Sequence, residues 1–431
     1  MIKQGSVLGS VISALTIDSL TRILEKCDSM WEIEGTKIKP LLFQDDIIAI
    51  NRTKDIQKTV NIIETFQHLK RLEFHEDKTK KSIFNGKRDE KIEINGCEIK
   101  RATEHKYLGK IIEEGLKEKK DIQERIKMAN IQSNECMSII NNKYLNKKRI
   151  GAGINLLQSI IVPTLTYGAE TWNKLTKKEI EDINGVQTNY LAKLLNVPVT
   201  TPKCSLVGGL RLTKIEHIAN TRKLQYYVDL INREESRLEV KMQKLQQNRN
   251  MSYEMEIKEL LEKYKLDLCL KGENTKIIKN NIKTEINKIN DKELEEKIKT
   301  GRKTKMMHEY NKEYLENLHF DEARAIFMML TRMIDIKSNY KNKYKNIECE
   351  TCNIEENTIH LFKCKKYLNM NKEFKGETLQ EILTENKEGD IAKFLKEIIR
   401  RQEKENEEKL LKKSTSTAPL HIGLSLLDRR A

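Results

Sequence analysis

Hydrophobic positions divide this chain into an N-terminal stretch, where periods of two and of about 3.6 alternate, and a longer remainder that keeps only the helical period. Leu8, Ile12, Leu15, Leu20, Ile23 and Leu24 recur at helical spacing after Ser6, a residue suited to cap a helix, and predict a first helix through Cys27. Ile38 to Phe43 and Ile47 to Ile50 read as two short strands of a hairpin with its acids, Asp45 and Asp46, at the tip. A second helix follows from Thr53, with Ile56, Val60, Ile63, Phe66 and Leu69 on its apolar face. Lys91 to Ile99 alternates strictly around Asn95-Gly96, the pair that most favours a two-residue hairpin turn. Tyr107 to Ile112 predicts one more strand, after which the pattern turns helical, so the sheet-forming part ends near residue 115.

Residues 117 to 196 hold at least three helical stretches, including Ile154 to Ile161 running into Pro163, and Tyr167-Gly168-Ala169-Glu170-Thr171-Trp172 follows. A break comes at Val197-Pro198 through Pro202. Between Pro202 and Pro419 there is no proline. Residues 235 to 318 are mostly Lys, Glu, Asn, Ile and Leu with weak periodicity, which predicts long exposed helices, in part disordered. Ser414 to Ala431 reads as a frayed tail.

With 431 residues the chain can bury more than one core. Charged residues make up 34% and aromatics only 6%, and Lys plus Arg exceed Asp plus Glu by 80 to 65, for a net charge of +15. That excess points either to a polyanionic partner, nucleic acid above all, or to a Lys-rich bias on solvated helices. The eight cysteines lack the density of a secreted disulfide scaffold, and no signal peptide or membrane-length apolar run stands out, so the expected setting is intracellular, nuclear or cytoplasmic.

Two adjacent acids between apolar strands suit divalent metal binding, because phosphoryl transfer to a 3′ hydroxyl uses two Mg²⁺ ions held by carboxylates. Asp-Asp also suits an ordinary polar turn. Adjacent strand residues face opposite sides, so Asp45 is the expected ligand and Asp46 the supporting acid. Upstream, Gln4-Gly5-Ser6-Val7-Leu8 puts a glycine where backbone can approach a substrate closely.

These pieces, in this order, resemble the C-terminal half of a reverse transcriptase palm of the non-LTR retrotransposon type. Gln4, Gly5 and Ser6 match motif B, which lines the template and nucleotide pocket. Phe43-Gln44-Asp45-Asp46 matches motif C, Lys78-Thr79-Lys80 the lysine-bearing motif D, and Tyr107-Leu108-Gly109 the start of motif E. The likeness continues through Tyr167 to Trp172 and Lys203 to Tyr227. It implies an RNA-directed DNA polymerase with Asp45 and Asp46 as catalytic Mg²⁺ ligands, Lys78 or Lys80 neutralising the leaving pyrophosphate, dNTP as substrate, and an RNA template with a DNA primer or target as partners. The lysines equally fit an edge-strand cluster that discourages aggregation. Two departures matter. Gln44 stands where the family carries a small or apolar residue. Motif A, with its essential aspartate, and the fingers would precede motif B, where this sequence has only Met1, Ile2 and Lys3. The expectation is a chain that does not polymerise DNA, since losing such an electrostatic element costs roughly a thousandfold in rate.

Cys349-Glu350-Thr351-Cys352, His360 and Cys364 give C-x2-C-x7-H-x3-C, three thiolates and an imidazole at a spacing that can close a tetrahedral shell around Zn²⁺. With no open position the site is structural. Such a zinc is worth roughly 10–16 kcal/mol of apparent binding energy, so the segment should unfold without metal. Lys341, Tyr344, Lys345, Lys363, Lys365 and Lys366, with Lys337, Tyr340, Lys343 and Tyr367, surround it in a mix suited to backbone neutralisation and base stacking on single strands. The placement resembles the C-terminal zinc knuckle of insect-type non-LTR elements.

The expected fold is α+β: a partial antiparallel palm over 1–115, an all-α thumb or connection over 116–235, a charged helical extension over 236–320, a zinc-knuckle module over 321–370 and a tail over 371–431. Three functions follow: a reverse transcriptase fragment, a catalytically dead nucleic-acid-binding remnant, and a structural protein whose charged helices associate with partner helices.

Overall fold

One amphipathic helix, Ile56–Lys70, organises the N-terminal part of this computed structural model. Its buried face of Thr59, Val60, Ile63, Phe66 and Gln67 follows the spacing of a single helical stripe. Ile63 and Phe66 join Leu20, Leu24 and Met30 in one cluster, with Ile47 and Ala49 against it, while Val60 joins Ile92, Ile94 and Ile99 in a second. The helix therefore ties the acid-bearing hairpin to the Asn-Gly hairpin. Its Gln57 side-chain amide completes the job by bonding both N–H and C=O of Glu93 at 2.9 Å. The structure describes residues 8–26, 30–38, 40–43, 46–72, 75, 77–86, 89–141, 145–249, 251–266, 274–310, 313–370 and 374–416.

The protein is mixed α and β; among the described residues the two-stranded pairs lie in the first 113 residues, and a single antiparallel bridge joins Glu348 to Glu355. Leu41–Phe43 pairs antiparallel with Asp46–Ile48, and Phe43 faces Asp46 in the last rung. Glu93–Ile94 pairs with Cys97–Glu98 around Asn95 (φ 51°) and Gly96 (φ 76°), the double positive φ that a tight hairpin turn needs. Tyr107 to Ile112 is not the single strand expected. Glu104–Tyr107 and Lys110–Glu113 form a hairpin whose turn is Leu108 (φ 45°) and Gly109 (φ 80°). Leucine is a poor left-handed residue, so the turn was illegible without the tertiary bonds that hold it.

Contacts divide the chain into two units, Met1–Met128 with Thr164–Ile183 and Glu216–Asn287, and Ala129–Pro163 with Asn184–Ile215 and Lys288–Ala431. Within the second, Gly153 lies so close to Leu194 that a Cβ there would stand 2.3 Å from its Cδ1, and the Tyr190 hydroxyl donates to the Gly153 carbonyl at 2.9 Å. The helix before Pro163 widens to a π-turn over Leu157–Ile161, as expected where proline has no N–H to return to the preceding turn. In the same unit Phe320–Leu330 packs on Glu388–Ser416, burying Ala323, Ile326, Phe327 and Leu330 with Ile391, Leu395 and Ile398.

The charged region is helical among its described residues, as expected, but its helices bury one face rather than standing exposed. Val240, Ile257, Leu260, Leu261 and Tyr264 are buried, and Thr275–Thr300 buries Ile282, Ile286, Asn290, Leu294 and Ile298. That last set is a strict i, i+4 file, one residue in four, which Lys and Glu on the other faces dilute below a recognisable period. No helix among the described residues is long and apolar enough to cross a membrane.

Candidate metal centre and the palm-like motifs

Ile347 to Glu356 folds back on itself as a small hairpin: Cys349 N–H donates to the Ile354 carbonyl and Glu356 N–H to that of Ile347, both at 2.8 Å. Asn353 takes φ 55° at the turn. The short helix Thr358–Lys363 then starts at Asn357, whose side-chain oxygen accepts the His360 N–H at 2.9 Å. That cap fixes the backbone of His360, and Cys364 follows the last turn. Phe362, Phe374 and Phe394 stack within 5.1 to 5.3 Å of one another and anchor this helix to Glu388–Ser416.

The result brings Cys349, Cys352, His360 and Cys364 together, with one ligand atom from each lying within 4.8 Å of all the others. Cys349 and Cys352 each stand 3.8 Å from Cys364, sulfur to sulfur. A tetrahedron with metal–sulfur bonds of about 2.3 Å has edges of about 3.8 Å. His360 is 4% exposed, yet neither ring nitrogen has a hydrogen-bond partner. Leaving such a group unsatisfied costs about 1–3 kcal/mol, and a metal would satisfy it. Burial opposes ionisation of Cys349, but His360, close to the sulfur though outside hydrogen-bonding geometry, and the backbone N–H groups of Thr351 and Cys352 outweigh it and lower its pKa to about 7. Burial pushes Cys364 up, against the Lys366 backbone N–H. The Lys365 N–H donates to the Cys352 sulfur at 3.4 Å. Three thiols, a buried imidazole without a partner and backbone donors aimed at sulfur could hold a metal such as zinc.

Around this centre Lys341, Lys345, Lys363 and Lys365 are exposed, and none of their ammonium groups pairs with a carboxylate among the described residues. Lys366 instead reaches Glu405 at 3.4 Å and Lys343 reaches Asp335 at 2.6 Å. The aromatics differ in burial. Tyr344 is half-buried with its hydroxyl on Asp335 at 3.0 Å, Tyr340 donates to the Met333 carbonyl, and Tyr367 is 6% exposed. The Tyr367 ring, buried in the module's own core, is not offered to a base, whereas Tyr340 and Tyr344 stay partly exposed.

Of the palm-like residues, Gln4, Gly5, Ser6 and Asp45 lie outside the described residues. Asp46 opens the strand Asp46–Ile48 rather than sitting at a tip, and it belongs to no group of three ligand-bearing residues among those described. It is close enough to Tyr107 that, after burial, its charge helps raise the Tyr107 pKa. Lys78 and Lys80 are both exposed, with Lys80 on a two-residue strand beside Lys100.

Two segments singled out from sequence, Tyr107 to Gly109 and Tyr167 to Trp172, meet. The Tyr167 hydroxyl bonds the Leu108 carbonyl at 2.6 Å, Lys110 bonds Thr171 at 2.7 Å, and the Arg125 guanidinium lies 4.7 Å over the Tyr167 ring. Asp121, 1% exposed, was not singled out from sequence, yet it accepts from the Ile111 N–H at 3.0 Å and from the Trp172 indole N–H at 3.1 Å. An acid in the first turn of Lys119–Ile140 was its only signal. Lys223 was missed too: nearly buried, it donates to Glu256 and to the Trp172 carbonyl, both at 2.6 Å, beside a cavity of about 350 Å³. No known family, curated protein or solved structure matches this chain.

Proposed function

We propose that residues 337–367 form a structural zinc module that presents lysines to the backbone of a nucleic acid, within a protein of the reverse transcriptase class of non-LTR retrotransposons. The observation that carries the metal half is the cluster geometry: Cys349 and Cys352 each 3.8 Å from Cys364, sulfur to sulfur, with a buried His360 that has no hydrogen-bond partner as the fourth corner. The exposed unpaired lysines, with the overall charge of +15, support a polyanionic partner. Zn²⁺ would be held by Cys349, Cys352, His360 and Cys364 and would supply fold rather than chemistry, since a fourfold protein shell leaves no position for a substrate.

The test is zinc content of the purified chain, followed by binding of single-stranded RNA and DNA at several salt concentrations, with and without chelator. One zinc per chain and salt-dependent affinity lost on chelation support the proposal. A chain without zinc sinks the metal half. Zinc without salt-dependent binding would favour a structural protein that associates through its charged helices.

The polymerase reading rests on a separate observation. The Leu41–Phe43 and Asp46–Ile48 hairpin carries Asp46 in its last rung, next to the turn, with Tyr107 of the motif E-like segment nearby. In that reading Asp45 and Asp46 would bind Mg²⁺, Gln4, Gly5 and Ser6 would line the nucleotide pocket, and Lys78 or Lys80 would meet the pyrophosphate. Primer extension on an RNA template, compared with Asp45→Ala and Asp46→Ala, decides whether the hairpin does chemistry. Loss of extension in Asp45→Ala supports it, and equal extension in all three overturns it.

A further inference from the structure

We propose that Cys352 is a peroxide-reactive site whose first product is a Cys352–Cys364 disulfide, and that this bond expels the metal and dismantles the module. The metal-release half rests on the zinc reading above; the choice of thiols does not.

The three cysteines of the cluster are unequal in access. Cys349 is 6% exposed and Cys364 is 2% exposed, whereas Cys352 is only partly buried. A two-electron oxidant must collide with a sulfur from solvent, and Cys352 is the one that solvent reaches. The sulfur poised to trap the product is Cys364, already 3.8 Å away, so closure to a disulfide of about 2.05 Å needs a shift of about 1.8 Å. Cys349 is the less suited partner. The 3.8 Å sulfur contacts of the cluster run from Cys364 to Cys352 and from Cys364 to Cys349, so Cys364 is the sulfur that the more accessible Cys352 meets first.

The steps balance. The Cys352 thiolate attacks one oxygen of hydrogen peroxide, the O–O bond breaks, hydroxide leaves, and the sulfur becomes a sulfenic acid, oxidised by two electrons. The Cys364 thiolate then attacks that sulfur and displaces a second hydroxide as the S–S bond forms. In sum two thiolates and one peroxide give one disulfide and two hydroxides, which take protons from solvent.

Disulfide sulfurs are poor ligands, so the metal would keep only Cys349 and His360 of four donors and leave. His360 would again be buried without a partner. Lys363 and Lys365 flank Cys364 directly and lose their placement with it, so oxidation should weaken nucleic-acid binding as chelation does.

The experiment treats the zinc-loaded full chain with one equivalent of hydrogen peroxide, blocks remaining thiols with iodoacetamide at intervals, and maps disulfides by mass spectrometry. A chromophoric chelator reads zinc release in parallel. Cys97, exposed on the strand Cys97–Glu98, is the internal reference for indiscriminate oxidation. The expected result is a Cys352–Cys364 disulfide formed first, one zinc released per disulfide, Cys97 still alkylated, and reversal by a thiol reductant. A first disulfide that contains Cys349, or oxidation of Cys97 with the cluster thiols intact, overturns the proposal. If the chain takes up no zinc, the module reading fails while the disulfide map still decides the assignment of thiols.

Discussion

The hydroxyl of Tyr167 donates to the carbonyl of Leu108 across 2.6 Å, and so clamps a leucine in the left-handed region at φ 45°. A β-turn with a leucine at a positive-φ position carries about 1–2 kcal/mol of backbone strain, which neighbouring bonds must offset. Tyr167→Phe should lower unfolding free energy by about 1 kcal/mol. Leu108→Gly should raise it by up to about 1 kcal/mol, because glycine takes that φ without a Cβ. Urea denaturation of both single variants and the double variant reads the coupling; a Leu108→Gly that destabilises would show that the leucine side chain, not the turn, matters.

Asp121 is the deeper fastener of the same region. It is 1% exposed and serves the Ile111 N–H, the Trp172 indole and the Arg125 guanidinium together. Asp121→Ala leaves two orphaned buried donors and takes the carboxylate from a part-buried guanidinium that keeps its bond to the Gly109 carbonyl, and should cost about 3 kcal/mol. Asp121→Asn keeps one acceptor oxygen and should cost clearly less. Thermal unfolding followed by Trp fluorescence checks the order, and equal losses would mean that charge plays no part.

Much of this architecture was legible because local and tertiary signals agreed. Asn95-Gly96 turned where its chemistry demanded, Val60, Ile63 and Phe66 were buried as their spacing announced although Leu69 at the end of that stripe is exposed, and the cysteine spacing closed into one cluster. What escaped had its cause at a distance. The Leu108-Gly109 turn depends on Tyr167 far along the chain, and Ile282 to Ile298 buries too sparse a file for its period to show. Tyr367 looked available for stacking because sequence shows an aromatic ring but not the core that buries it.

Asn357 was not singled out either, although it sets His360 in place. Its side chain caps Thr358–Lys363 by accepting the His360 N–H at 2.9 Å. Asn357→Ala should cost about 1 kcal/mol of stability in the metal-free chain. Residues that orient a ligand from behind typically matter 10–100-fold in metal affinity, so the variant should also bind zinc about tenfold or more weakly. Competition with a chelator of known affinity measures this, and Asn357→Asp, which keeps the accepting oxygen, should restore most of it.

Metal loading should be linked to protons in a way that the Cys349 environment sets. Its pKa, lowered to about 7, means that Cys349 is ionised before the metal arrives at pH 8 and protonated at pH 6. Zinc must expel that proton only at the lower pH. Protons released per zinc should therefore rise as pH falls through about 7, and apparent affinity should fall in step. Calorimetry in buffers of different ionisation enthalpy counts the protons. A count unchanged between pH 6 and pH 8 would mean that Cys349 has an ordinary thiol pKa.

The lysines give the sharpest check on a nucleic-acid partner, since the structure separates free cations from engaged ones. Lys341, Lys345, Lys363 and Lys365 are exposed without a carboxylate partner among the described residues, whereas Lys366 is paired with Glu405 at 3.4 Å. Each phosphate neutralised on a single strand releases roughly 0.7 counterion, so each free lysine that contacts backbone adds about that much to the slope of log affinity against log salt. Replacing all four with glutamine should reduce the slope by roughly 3, while Lys366→Gln should change it little. Zinc content must stay at the wild-type value in both variants, which separates lost contacts from a lost fold. An unchanged slope in the fourfold variant would move the binding surface away from the metal module altogether, because counterion release cannot survive removal of the cations that cause it.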